Sequence, residues 1–154
     1  MPKKKLKIVV YEDDAEMQDL VEEAKSALLE RTKSKNSRVQ CIVPHLIASQ
    51  EEFDDWLSSG GVRDTYFAVV DLQIDEDDWE GVRAVEELRK TRKYEDFPIV
   101  VFSKTSNQHS RQRAYVAGAT SYVKKPINRD RLVEALSGII GYWLDLHEKH
   151  FASG

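Results

Sequence analysis

The sequence has a single cysteine, Cys41, among its 154 residues. An internal disulfide is therefore impossible, and no cysteine cluster can hold zinc. Cys41 sits in the apolar stretch VQCIV and reads as a small buried side chain rather than a nucleophile. Long hydrophobic runs are absent too. None is long enough to cross a membrane, and the basic start PKKKLK lacks the apolar stretch that a signal peptide requires. The expectation is a soluble protein of a reducing compartment, the cytoplasm. Neither sign of charge dominates: 23 Lys and Arg against 27 Asp and Glu give a formal net charge of -4. A general nucleic-acid binder would carry a basic excess, so that class is set aside. Repeats and low-complexity segments are missing as well.

What is present suits one domain spanning 1–154, with 41% hydrophobic residues to build its core. Short apolar runs alternate with helical stretches. LKIVVY (6–11) reads as a strand. From Asp14 to Thr32, Met17, Leu20, Val21, Ala24 and Leu28 recur at helical spacing. VQCIV (39–43) reads as a second strand, and Ser49 as the N-cap of a short helix burying Phe53, Trp56 and Leu57. YFAVVD (66–71) is a third strand, followed by a helix from Trp79 to Lys93. FPIVVFS (97–103) is a fourth strand. The next helix, from Asn107 to Ala117, is mostly polar, with little beyond Ala114, Tyr115 and Val116 to bury. TSYVKKP (120–126) holds a fifth strand, and a last helix spans about 128–148. Strand and helix alternate five times, which predicts an α/β fold: an open parallel sheet with helices on both faces. In such folds ligands collect beyond the carboxyl ends of the strands.

Those ends carry a specific set of groups. Glu12, Asp13 and Asp14 follow the first strand, and Asp71 ends the third. Ser103 ends the fourth, and Lys124, Lys125 and Pro126 follow the fifth. Hard divalent cations such as Mg2+ prefer carboxylate, carbonyl and water oxygens, and Asp13 and Asp71 could share one. A carboxylate can also act as a nucleophile toward phosphorus. A phosphoryl group on Asp71 would bring three negatively charged oxygens, which a cation, Lys125 and the Ser103 hydroxyl could each stabilise.

In these residues the chain resembles the response-regulator receiver domain, the CheY-like module of two-component signalling. The landmarks are VVYEDD, AVVDL, VVFSK and AGATSYVKKP, in order, over residues 6 to 140. The resemblance implies a flavodoxin-like, doubly wound sheet of order 2-1-3-4-5. It implies Asp71 as phosphoacceptor. Mg2+ would be held by Asp13, Asp71 and the Gln73 backbone carbonyl, with Glu12 acting mainly through a water. Lys125 would reach the phosphoryl oxygens, across a cis bond to Pro126. Ser103 and Tyr122 would form the switch pair. The implied partners are a sensor histidine kinase or phosphotransfer protein.

Three departures stand out. The loop after Asp71 lacks the family's proline and is about two residues longer, and its acidic run Asp75 to Asp78 reads as a solvated loop. Lys104 occupies a position that is usually small. The last helix continues through YWLDLHEKHF, which resembles the tails of cyanobacterial phytochrome-linked response regulators. Two readings follow: the extra turns fold back on their own domain, or Leu144, Leu146 and Phe151 form an exposed apolar surface or the seam of a homodimer through the fourth and fifth helices, with Trp143 in the core under both. His45, His109, His147 and His150 read as surface residues, and Trp56 and Trp79 as packing.

A calcium loop over Asp71, Gln73 and Asp75 fails, because its sixth position is Glu76 and its twelfth Val82. A phosphatase with an Asp nucleophile would want a second acid where Gln73 stands. A phosphate-independent binding module would be marked by loss of Asp71, Lys125 or the acid pair, and all are present. The expectation is a stand-alone phosphoacceptor switch, not an enzyme toward other substrates, whose output is a protein contact.

Overall fold

Alternation within the first strand decides where the layers lie. Ile8 and Val10 point to one face of the sheet, Val9 and Tyr11 to the other, as the two-residue period of a strand requires. All four are almost fully buried, so both faces must be covered. The computed structural model describes residues 5–32 and 37–152. Among these, five parallel strands alternate with five α-helices. The strands are β1 (Leu6–Tyr11), β2 (Ile42–Ile47), β3 (Thr65–Val70), β4 (Ile99–Ser103) and β5 (Ser121–Lys124). The helices are α1 (Met17–Thr32), α2 (Gln50–Ser58), α3 (Glu80–Thr91), α4 (Gln108–Ala117) and α5 (Arg129–Ala152). The sheet order is β2-β1-β3-β4-β5, as the resemblance implies.

Helices α1 and α5 cover one face, where Leu20, Ala24, Leu136 and Ile140 pack on Ile8, Val10, Phe67 and Phe102. Helices α2, α3 and α4 cover the other, with Phe53, Val85, Leu88 and Ala114 against Val9, Ala68 and Val101. Helix α2 begins where expected: the Ser49 hydroxyl accepts from the Glu52 N–H at 3.2 Å. Helix α4 is capped by Asn107 in the same way, at 2.8 Å to the Ser110 N–H.

Several boundaries differ from the sequence reading. The second strand is 42–47, not 39–43. VQC lies in a 3-10 turn that buries Val39, and Cys41 is only half buried. Pro44, which looks like a strand terminator, lies inside β2 opposite Ile8. Strand β2 is a sheet edge, where a missing N–H is tolerated. His45 therefore belongs to β2 rather than to a loop, and it stands edge-on to Trp56. Leu144 is fully buried under α5 rather than part of an exposed seam. The side chains of Leu146, His147, His150 and Phe151 lie outside the described residues. Of the apolar residues expected to anchor α4, only Ala114 is buried, while Tyr115 and Val116 are exposed. The Lys125–Pro126 bond is trans, since no cis peptide bond occurs among the described residues. Trans is the isomer that X–Pro bonds favour by about 0.5–1 kcal/mol.

Candidate functional site

The sheet ladder continues one residue past three of its strands, and that continuation sets the site. The Glu12 N–H donates to the Ile47 carbonyl at 3.0 Å, and the Asp71 N–H donates to the Tyr11 carbonyl at 3.0 Å. The Lys125 N–H donates to the Ser103 carbonyl at 2.8 Å. Each side chain is therefore launched from backbone fixed by its neighbours, with no loop freedom at its root. They converge on one cavity of about 660 Å³. Glu12, Asp13, Asp71, Gln73, Ser103 and Lys125 all line it.

Lys125 is the hub. Its buried ammonium donates to Asp71 Oδ2 at 3.1 Å and to Glu12 Oε2. Asp71 Oδ1 accepts from the Leu72 N–H at 2.8 Å, which fixes the plane of its carboxylate. Glu12 Oε1 accepts from the Asp14 N–H at 3.1 Å. Burial pulls against the charge on Lys125, but Asp71 and Glu12 outweigh it and hold its pKa above the usual range. An ion pair alone would lower Glu12. Burial and the Asp71 charge outweigh that pair and push Glu12 up to about 8. A chain that packs three acids around one ammonium carries surplus negative charge there.

That surplus suits a cation. One oxygen from each of Glu12, Asp13 and Asp71 lies within 4.8 Å of the others. An all-oxygen, carboxylate-rich donor set fits a hard divalent ion such as Mg2+ or Mn2+.

Ser103 and Tyr122 meet through one residue. The Thr105 N–H donates to Ser103 Oγ at 3.3 Å, and the Tyr122 hydroxyl donates to the Thr105 carbonyl at 2.5 Å. A shift of Ser103 would therefore be felt at Tyr122 across a single residue. Lys104 is exposed and lines the cavity mouth.

Four features at the rim were given no part in the site by the sequence. Glu80 is buried, accepting from the Tyr11 hydroxyl at 2.7 Å and from Arg83 Nη2 at 2.6 Å. Arg83 in turn reaches Asp54 of α2 at 2.9 Å. Burial, then Glu80, holds the Tyr11 hydroxyl far above its ordinary pKa, so it remains a donor at any working pH. Gly81 lies so close to β3 that a Cβ there would sit 2.1 Å from the Asp71 carbonyl oxygen. Trp79 forms part of the cavity wall, with the Arg113 guanidinium 3.8 Å from its ring centroid and His109 edge-on at 5.7 Å. The acidic stretch after Asp71 is folded rather than loose. Ile74 and Asp77 pair as a small antiparallel bridge, and the Asp75 N–H donates to Asp13 Oδ2 at 3.0 Å. Gly81 and the acid before it, Glu80, do carry a readable signal, since they stand where the family pattern has its Asp-Gly; the burial of Glu80 does not show in it.

Comparison with known proteins agrees with this geometry. The family model described as the response regulator receiver domain matches residues 8–137. No curated protein matches the chain. Among solved structures, the phosphorylated cyanobacterial phytochrome response regulator RcpA superposes with a TM-score of 0.73 at 22% identity, covering 91% of this chain and 94% of its own. The Mn2+-bound form of response regulator Rcp1 gives 0.68 at 19% identity, covering 90% and 94%. A CheY-like receiver domain protein from Methanospirillum hungatei JF-1 gives 0.58 at 17% identity, covering 92% and 98%. At these identities the likeness is one of fold.

Proposed function

The chain belongs to the response regulator receiver domain family of two-component signalling, and from that premise we propose that it is a phosphoacceptor switch charged at Asp71 by a histidine kinase or phosphotransfer protein. The observation that carries the reading is the buried ammonium of Lys125, 3.1 Å from Asp71 Oδ2, beside a carboxylate cluster able to hold a divalent cation. The domain acts as one unit over 1–154, in the cytoplasm. It promotes only its own phosphorylation and dephosphorylation.

In the transfer, a carboxylate oxygen of Asp71 attacks the phosphorus of a phosphohistidine. The new P–O bond forms as the P–N bond breaks, and the electron pair leaves with the imidazole, which takes up a proton. Glu12, Asp13, Asp71 and the Gln73 carbonyl would hold Mg2+. The ion, when bound, neutralises negative charge on the transferring group. Lys125 pairs with another phosphoryl oxygen and Ser103 donates to a third. Phosphorylation adds charge and acceptor oxygens at a site whose nearest movable neighbours are Ser103, Thr105 and Tyr122. Their rearrangement favours a second arrangement of α4, β5 and α5. Tyr115, Val116, Ile127 and Tyr142 are exposed around that region and would face a target or a second copy of the chain.

The test is intact mass after incubation with a small phosphodonor and Mg2+. One added phosphoryl group is expected, absent from Asp71→Asn and from a metal-free sample. No adduct together with no Mg2+ binding would overturn the reading in favour of a phosphate-independent binding module.

A further inference from the structure

The loop between β3 and α3 has a shape that its acidity does not explain. Asp75 and Glu76 both have positive φ, 54° and 64°. Two consecutive non-glycine residues in the left-handed region form a tight primed turn, which closes the Ile74–Asp77 bridge. The bridge is made by the Ile74 N–H to the Asp77 carbonyl at 3.1 Å and the reverse bond at 2.9 Å. Ile74 is fully buried and anchors the turn to the core. Aspartate visits this region more readily than most L-residues, but glutamate seldom does, so the Glu76 backbone is not the default of an acidic loop. Such a conformation persists when surrounding contacts over-determine it.

Those contacts run in two directions from Asp75. Its N–H donates to Asp13 Oδ2 at 3.0 Å, and its own Oδ2 accepts from the Gln50 N–H at 2.8 Å. Gln50 is the first residue of α2, so the carboxylate sits at a helix N-terminus whose N–H would otherwise lack a partner. One residue thus joins the metal-binding carboxylate after β1, the exit of β3 and the start of α2. Asp13 is solvent-exposed, so little packing orients its carboxylate, and the bond from the Asp75 N–H fixes one of its oxygens.

We propose that Asp75 is a positioning residue for the cation site: its turn, braced on the Gln50 N–H, holds Asp13 Oδ2 and aims that carboxylate at the metal. It acts through Asp13 and does not touch the cation. The proposal rests on the reading of Asp13 as a Mg2+ ligand. It also accounts for the two extra residues in this loop, which supply the turn.

The experiment is a Mg2+ titration of the full chain by calorimetry, with the thermal midpoint measured with and without Mg2+. Asp75→Gly keeps the N–H and suits the positive φ but removes the brace. Gln50→Pro removes the braced N–H from the opposite side. Proline is well accepted at the first helical position, and Ser49 already has the extended backbone (φ -146°, ψ 160°) that must precede it. Both variants should weaken Mg2+ binding by about tenfold, the scale of a disturbed outer-shell partner. Asp75→Asn keeps turn and acceptor, losing only charge, and should stay within about twofold of the parent. Equal losses in Asp75→Asn and Asp75→Gly would make Asp75 a charge or a ligand, overturning the proposal. A lower thermal midpoint with unchanged Mg2+ affinity in Asp75→Gly would reduce it to a structural turn, overturning it equally. Failure of the parent chain to bind Mg2+ would sink the phosphoacceptor reading itself, and the proposal with it.

Discussion

Replacing Gly81 with alanine should damage both the fold and the site, although it adds one methyl group. The new Cβ would lie 2.1 Å from the Asp71 carbonyl oxygen and 2.5 Å from Leu72 Cα. A carbon–oxygen contact normally settles near 3.3 Å, so roughly 1 Å must open between the first turn of α3 and the end of β3. Both obstacles are backbone, and no side chain can swing aside to make room. The opening also strains the bond from the Gly81 N–H to the Leu72 carbonyl, now 2.8 Å. Overpacking costs about 1–3 kcal/mol in a well-packed site. With a backbone bond strained as well, the upper end, about 3 kcal/mol, is expected. For a domain of this size that lowers the thermal midpoint by about 6–12 °C. The same displacement moves Asp71 relative to Lys125. A misplacement of about 1 Å can slow a positioned reaction by roughly 100-fold. Calorimetry and the rate of adduct formation by intact mass read the two effects separately. Gly138→Ala is the control. Gly138 lies in α5 with nothing within 4 Å of an added Cβ, so alanine there should stabilise by about 0.5–1 kcal/mol. If Gly81→Ala kept the parent midpoint and rate, the close approach of α3 to the phosphoacceptor would not be what orders this site.

The Glu80 network and the Glu12 carboxyl give two further tests. Glu80→Ala strips the acceptor from the buried Tyr11 hydroxyl and one of two acidic partners from the partly exposed Arg83, and should cost about 2–3 kcal/mol in urea unfolding. Tyr11→Phe removes one hydrogen bond and leaves the ion pair, and should cost nearer 1 kcal/mol; the reverse order of sizes would contradict the network. Glu12 has its folded pKa raised from the ordinary 4.5 to about 8 by burial and then Asp71. A raised carboxyl stabilises the metal-free fold below pH 4.5, and that contribution drains away as pH rises toward 8. A cation competes with the same proton, so Mg2+ affinity should climb with pH, by up to about tenfold per unit, and level off above about 8. A pH-independent Mg2+ affinity across this window in calorimetry would rule out a protonated Glu12.

The periodicity of the chain made the architecture legible. Apolar runs set the strands, and helical spacing set α1, α2 and α3, because burial on both sheet faces dominates those segments. The site was legible for the same reason: in a parallel sheet, the residue after each strand is fixed in space by its register, so Glu12, Asp71 and Lys125 converge without knowledge of any loop. Errors fell where local signals compete with tertiary context. VQCIV reads as a strand, yet the strand is 42–47 and runs through Pro44, which only an edge position tolerates. Leu144 looks exposed on an over-long helix until α5 is seen to lie along α1. The burial of Glu80 was unreadable, since a buried acid and a solvated one are the same letter, and so were the bonds made by the exposed Asp75. Only the distant partners Tyr11, Arg83 and Gln50 distinguish them.

Helix α4 is fastened very unequally at its two ends. At its C-terminus, Arg89 of α3 grips the Gly118 carbonyl at 2.7 Å and the Thr120 hydroxyl at 3.0 Å, while the Thr120 N–H is tied to Ile99 at 2.8 Å. At the cavity end, the Asn107 cap belongs to the helix itself, and the contacts outward are side-chain ones: Trp79 with His109 and Arg113, and Arg111 over the Tyr122 ring at 5.7 Å. A tilt of α4 would therefore pivot near Arg89. Ten residues make an arm of about 15 Å, so a tilt of about 10° would sweep the cavity end through roughly 2–3 Å. That stroke is comparable to the width of a phosphoryl group. The indole of Trp79, which touches His109 and Arg113 of this helix, would register it.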